Sequence, residues 1–147
     1  MAVIKATNHI GLNVTDMEAC IRFYGGLLGL RKISDEMMTG KFLDTVQGKP
    51  NMKYRIVKFA SPEGFFIELL QDFNHEVEPQ HDNCLQNAGL RHFAYEVDDV
   101  DAMYEKVTAF GCSTISKPTT SEDGSMRLFF VRDPEGSLIE LMQFPKE

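Results

Sequence analysis

A chain of 147 residues with 43% apolar and 25% charged residues has the composition of compact globular structure, and neither disorder nor a collagen-like repeat fits it. Fifteen basic against twenty-two acidic side chains leave a net charge of −7, the wrong sign for a footprint on nucleic acid or anionic lipid, so a small molecule is the expected partner. The apolar runs are strand-length, such as Phe65 to Leu70 interrupted by Glu68, well short of the ~18 residues a membrane span needs.

The first ordered segment is expected at Asn8-His9-Ile10-Gly11-Leu12-Asn13-Val14. Ile10, Leu12 and Val14 fall on one face and His9, Gly11 and Asn13 on the other, the period of a strand that points His9 away from the apolar side. Asp16 is placed to cap a helix in which Ala19, Cys20, Phe23, Tyr24 and Leu27 recur at helical spacing up to Gly29. Three strands should follow, at about 30 to 38, 53 to 60 and 65 to 71. Asp72 to Asn87 is polar and acidic without periodicity and reads as a linker.

The chain then repeats itself. Arg91-His92-Phe93-Ala94-Tyr95-Glu96-Val97-Asp98-Asp99 aligns with Asn8 to Asp16 at an offset of 83 residues, and Asp133-Pro134-Glu135-Gly136-Ser137-Leu138-Ile139-Glu140-Leu141 aligns with Ser61 to Leu69 at an offset of 72. The second copy predicts a helix from near Asp99 to Gly111 and strands at about 113 to 117, 126 to 131 and 137 to 144. Each last strand follows Pro-Glu-Gly, in which Pro fixes φ and Gly accepts a positive one. The fold class is therefore α+β, with two tandem βαβββ modules: module 1 at about 5–72, a linker at about 73–88 and module 2 at about 89–145.

Each opening strand carries a His and each closing strand a Glu in the frame Ile-Glu-Leu. A carboxylate in such a strand must face water or meet a partner, because burying it alone costs several kcal/mol. Read singly, each Glu is a surface residue and each His a satisfied one. The repeat adds a second reading, in which His9, Glu68, His92 and Glu140 together form an N2O2 set for one divalent cation, with Zn, Ni, Co, Mn or Fe suited to such donors. Cys20, Cys84 and Cys112 lie outside these motifs. They are odd in number and widely spaced, and residues 1 to 14 show no positively charged segment before an apolar one, so reduced thiols in a cytoplasmic protein are expected.

Asn8 to Val14 with Phe23-Tyr24 and Leu27-Leu28-Gly29-Leu30, Phe66 to Leu70, Arg91 to Asp99 and Asp133 to Leu141 together resemble the vicinal oxygen chelate superfamily. Its members include glyoxalase I, methylmalonyl-CoA epimerase, extradiol dioxygenases, and fosfomycin and bleomycin resistance proteins. The resemblance covers nearly the whole chain and implies a single domain over 1–147, its paired modules forming an open, barrel-like mixed sheet, usually in a homodimer. It further implies a metal held at His9, Glu68, His92 and Glu140. The implied activity is that of a glyoxalase-I-like lyase or isomerase, with proton transfer alpha to a carbonyl through an enediolate that the metal stabilises. Glu140 corresponds to the base in glyoxalase I, and Glu68 is its symmetry-related second candidate.

Departures narrow the substrate. Asn13 stands where glyoxalase I typically has the Arg that holds a glutathione carboxylate. Glu68 replaces the usual Gln of the epimerases, and Arg91-His92 their His-His pair. Extradiol dioxygenases and fosfomycin-type enzymes use three ligands and stand as alternatives, as does a non-catalytic binder of the bleomycin-resistance type. Asn13 and Glu96 share a face with the two His and are candidates to touch the metal's surroundings or the substrate. Arg55, Arg91 and Arg127 are candidate anion holders, with surface ion pairs the plainer expectation. His75, Glu76, Glu78, His81 and Asp82 form an acid and His cluster expected to be solvated.

Overall fold

The computed structural model describes residues 1–80 and 84–146 and divides into two compact units, Met1–Pro79 and Gln80–Glu147. In the first, β1 (His9–Asn13) leads into α1 (Met17–Ile21), followed by β2 (Arg31–Thr39), α2 (Lys41–Gln47), β3 (Lys53–Ala60) and β4 (Phe66–Asp72). In the second, β5 (His92–Glu96), α3 (Val100–Phe110), β6 (Thr119–Thr120), β7 (Arg127–Arg132) and β8 (Leu138–Gln143) follow in the same order. Among the described residues no helix is long and apolar enough to cross a membrane.

Each unit is a four-stranded mixed sheet, in the order β1-β4-β3-β2 and β5-β8-β7-β6. The first and last strands of a unit are parallel neighbours, and the remaining pairs are antiparallel. A parallel pair needs a crossover, and the helix after the opening strand supplies part of it on one face of the sheet. Val14, Met17, Cys20, Phe23, Tyr24 and Leu27 are buried with Val57, Phe59, Ile67 and Leu69 in unit 1. In unit 2, Val100 and Val107 are buried with Phe129, Val131, Ile139 and Leu141, and the Tyr104 ring meets Phe129 edge-on at 5.2 Å.

The repeat extends to single hydrogen bonds. Asp16 and Asp99 cap their helices, each accepting from the backbone N–H three residues on, Ala19 and Ala102, at 2.9 Å. Gln71 donates to the Thr15 carbonyl at 3.0 Å, while its counterpart Gln143 accepts from Val100 N–H at 2.9 Å, so both tie the last strand to the strand-helix corner. The two Pro-Glu-Gly turns close on matching bonds, Gly64 N–H to Ser61 and Gly136 N–H to Asp133, each 3.0 Å, with glycine φ values of +95° and +88°.

Two expectations are corrected. The strand expected at 113–117 is reduced to an isolated bridge between Thr114 and Val131, and the regular pairing starts at Thr119 just past Pro118, whose missing N–H cannot serve a ladder. Unit 1 contains α2, which the plain βαβββ order omits. Its Leu43 joins Met52, Tyr54 and Ile56 in a small cluster against Leu70, on the sheet face opposite α1. Hydrogen bonds of the first unit reach just past β4, where Phe73 N–H bonds the Lys53 carbonyl at 2.9 Å and Asn74 reaches the Asn51 carbonyl at 2.8 Å.

After Ile21, α1 widens into a π-helical stretch over Arg22–Leu27, with Leu28 N–H reaching back five residues to the Phe23 carbonyl. A Cβ on Gly25 would come within 2.7 Å of Phe59 Cε1, whereas one on Gly26 meets nothing within 4 Å. Phe59 is buried, so its ring has little room to yield. Gly25→Ala is therefore expected to destabilise by about 1–3 kcal/mol through overpacking. Gly26→Ala is expected to be neutral or to stabilise by up to about 1 kcal/mol. Urea unfolding of the two variants checks the difference.

Candidate functional site

The parallel pairing of β1 with β4 sets His9 opposite Phe66 and Gly11 opposite Glu68, on the sheet face away from α1. His9 Nε2 lies 3.4 Å from Glu68 Oε2. The pairing of β5 with β8 repeats the arrangement, with His92 opposite Leu138 and Ala94 opposite Glu140, and puts His92 Nε2 3.2 Å from Glu140 Oε2. Residues far apart in sequence thus become neighbours in both units. The carboxylates are largely withdrawn from solvent, at 18% and 15% side-chain exposure, while the imidazoles stay open at 38% and 40%.

Asn8 supports the first imidazole. Its amide oxygen lies 2.6 Å from His9 Nδ1, a contact that suits the neutral tautomer with the proton on Nδ1 and the lone pair on Nε2. Phe66 stacks on the His9 ring at 5.1 Å, and Phe130 meets the His92 ring edge-on at 5.2 Å. The two pairs differ in their cross-strand neighbour. Lys58 is opposite Glu68 and carries its Nζ to 3.4 Å from Oε1, whereas Phe130 is opposite Glu140. Sequence reasoning passed over Lys58, although its alignment with Phe130 at the same 72-residue offset marks it as a break in the repeat.

Each unit therefore brings one His and one Glu together, and among the described residues neither unit by itself assembles three His, Cys, Asp or Glu side chains into a metal-holding group. Asn13 and Glu96 lie exposed on the His-bearing face, opposite Leu70 and Met142 respectively.

Two of the candidate anion-binding arginines are committed elsewhere. Arg55 bonds Asp35 through Nε and Nη2, both at 2.9 Å, and Glu18 through Nη1 at 2.6 Å. Arg127 bonds Asp101 through Nε and Nη2 at 3.0 and 2.8 Å. These are one strap made twice, tying the first turn of the helix to the strand beneath it. Arg91 has its Nε buried without a hydrogen-bond partner.

In the linker cluster Glu76 and Glu78 are exposed as expected, and His75 departs from that expectation. His75 Nδ1 lies 2.9 Å from Asp72 Oδ2, and the two side chains are only 19% and 5% exposed. His81 and Asp82 lie outside the described residues. A cavity of about 380 Å³ in unit 2 is lined by Asp98, Asp99, Asp101, Arg127 and Gln143 among others. Its Arg127 and Gln143 lie on the helix-covered face, and the Arg127–Asp101 pair and the Asp99 cap engage its charges. Burial, reinforced by the Asp133 charge, pushes the Cys112 thiol up and keeps it protonated.

The paired βαβββ plan and the doubled His–Glu arrangement define the class of protein. The sequence profile of the Glyoxalase/Bleomycin resistance protein/Dioxygenase superfamily matches residues 6–141, and the chain belongs to that superfamily. A lactoylglutathione lyase of Haemophilus influenzae is 27% identical over 136 residues, covering 92% of this chain and 90% of the relative. A probable chloroplastic lactoylglutathione lyase of Arabidopsis thaliana is 31% identical over 142 residues, and there the match covers 92% of this chain but only 35% of the longer plant protein. Among solved structures, a glyoxalase family protein of Bacillus cereus superposes with a TM-score of 0.88 over 99% of both chains at 22% identity, a likeness of fold.

The Arg55 strap makes a prediction for acid stability. Hydrogen bonds from Arg55, with help from Lys32 and against the opposing effect of burial, hold the Asp35 carboxyl at about 2, well below its ordinary 3.8. A carboxylate depressed by folding stabilises the native state above its ordinary pKa, and that contribution disappears as pH falls through the folded value. Asp35→Asn should therefore flatten the loss of stability between about pH 4 and pH 2, by roughly 1 kcal/mol given the partial exposure of the pair. Urea midpoints of wild type and variant across that range measure it.

Proposed function

We propose that the protein is a metal-dependent lyase or isomerase that moves a proton on the carbon alpha to a carbonyl in a small oxygenated substrate, with thiol adducts of 2-oxoaldehydes and acyl thioesters the first compounds to test. The observation that carries this reading is the His–Glu pair made twice, each with an imidazole Nε2 facing a carboxylate oxygen. The donor set fits a divalent cation. Two neutral imidazoles and two carboxylates suit Ni, Co, Zn, Mn or Fe, and the Asn8 contact leaves the His9 nitrogen that faces Glu68 ready to ligate. In this reading His9, Glu68, His92 and Glu140 hold one ion, modules 1 and 2 act as one domain over 1–147, and the protein works as a cytoplasmic homodimer.

Such an ion supplies charge stabilisation to adjacent substrate oxygens as negative charge builds on them. The protein's own part is the proton. Glu140 is the preferred base, because its cross-strand neighbour is the apolar Phe130 and no cation other than a protonated His92 pairs with it among the described residues. It accepts the proton from the alpha carbon and returns it to the neighbouring carbon, general acid-base catalysis by one carboxylate. Glu68 is the second candidate and less free, since Lys58 lies against its other oxygen.

That contact favours a second reading, in which Lys58 keeps Glu68 from ligating and leaves His9, His92 and Glu140 as a three-ligand centre for dioxygenase or fosfomycin-type chemistry. Metal content separates the two. Protein purified without chelator should carry close to one divalent ion per chain, and Glu68→Ala should lower it; retention without Glu68 favours the three-ligand centre, and failure to load under any condition favours a binding protein. Glu140→Gln should keep the fold while cutting solvent-deuterium exchange at the alpha carbon by about 100-fold or more. Unchanged exchange removes Glu140 as the base.

A further inference from the structure

Lys58 brings to the first carboxylate a charge that Phe130, at the same place in the other module, does not bring to the second. It stands opposite Glu68 in the ladder between β3 and β4, on the face that carries His9, with Nζ 3.4 Å from Glu68 Oε1 and 5.7 Å from the centre of the Phe66 ring. Phe66 in turn stacks on His9. The ammonium is thus fixed beside the His9–Glu68 pair by a carboxylate and an aromatic face. It remains 28% exposed, so an incoming group can reach it. Across the next ladder, Ser34 of β2 is paired with Lys58 and points to the same face, and its hydroxyl is buried without a hydrogen-bond partner. On the face that carries Lys58, the Ser34 hydroxyl is thus a donor in want of an acceptor.

We propose that Lys58 is a specificity-determining residue that receives an anionic group of the substrate, a carboxylate adjoining the two oxygens that chelate the metal. The favoured substrates are then 2-hydroxy or 2-oxo acids, or their thiol derivatives, with a further carboxylate free for Lys58. This rests on the metal centre proposed above. In that centre the two carboxylates balance the charge of the divalent ion, Glu68 shares its charge between the ion and Lys58, and the site is left with an excess positive charge at Lys58. A substrate carboxylate meets that charge in a charge-assisted hydrogen bond, whereas a neutral substrate leaves it unbalanced. Lysine suits the task because its three donors sit on a flexible stem and need no fixed bidentate partner.

The test compares glycolate with hydroxymalonate, which adds one carboxylate to the same hydroxy-acid chelate. Both are titrated calorimetrically into cobalt-loaded wild type, Lys58→Met and Lys58→Arg, with cobalt alone titrated into each metal-free protein first. The quantity read is the change in preference between proteins, in which the intrinsic chelating strengths of the two acids cancel. In Lys58→Met the preference for hydroxymalonate should fall by about tenfold, the effect of one charge-assisted bond, and Lys58→Arg should keep most of it. Cobalt alone should bind Lys58→Met more tightly than wild type, because a neighbouring positive charge has been removed. A merely structural lysine would weaken metal and both acids together. If all three proteins load cobalt and the preference is the same in wild type and Lys58→Met, the role of Lys58 is overturned while the metal centre stands; if wild type takes up no cobalt, the metal centre fails and this inference with it. Should Lys58→Met fold poorly by its thermal midpoint, Lys58→Gln replaces it.

Discussion

The opening strand of each module runs parallel to its closing strand and shares a ladder with it, and this pairing brings each His to its Glu. Parallel neighbours cannot be joined by a tight turn, so the chain between them must cross one face of the sheet, where the helix buries its apolar side. That face is then closed to chemistry. The alternation of side chains sends His9 and Glu68, or His92 and Glu140, to the opposite face, and the register brings each pair within 3.2–3.4 Å. A carboxylate among Ile, Leu and Phe is costly unless partnered. The partner here is an imidazole, together with Lys58 in the first module.

Much of this was legible in the sequence because duplicated residues report on one another. Asp16 is legible as a helix cap, Gly64 and Gly136 as turn residues that accept a positive φ, and the His and Glu positions as equivalent registers; all three features are present. What the sequence concealed were features found in only one copy. The helix α2 fills a stretch that has no counterpart in the second module. The expected strand at 113–117 is reduced to the Thr114–Val131 bridge and its flanking bonds to Phe130 and Arg132, and Pro118 separates it from the pairing at Thr119. Ion pairs were the plainer expectation for Arg55 and Arg127, and the three-dimensional packing supplies their partners, Glu18, Asp35 and Asp101.

The two modules therefore agree where the fold needs them to and differ where the chemistry does. Caps, corner bonds from Gln71 and Gln143, and the arginine straps serve the folding of any copy, and they recur. The residues around the carboxylates do not. Asn8 becomes Arg91, Lys58 becomes Phe130 and Phe66 becomes Leu138. The first pair thus acquires an amide on its imidazole and a cation on its carboxylate, while the second is bordered by apolar rings and leaves its carboxylate free of lysine or arginine partners among the described residues.

Such divergence has a physical logic if the two carboxylates have separate tasks. A general base must change its protonation state during turnover, and a fixed ammonium against it would stabilise the charged form and oppose uptake of the proton. A carboxylate whose task is to remain an anionic ligand is under no such constraint, and a neighbouring cation that also meets the substrate is then an asset. Donor count sets the other limit. One imidazole and one carboxylate fall short of the four or more donors that zinc and related ions take up, so the proposed centre calls on donors from both copies. In that reading the copy without a lysine beside its glutamate is the one suited to carry the proton.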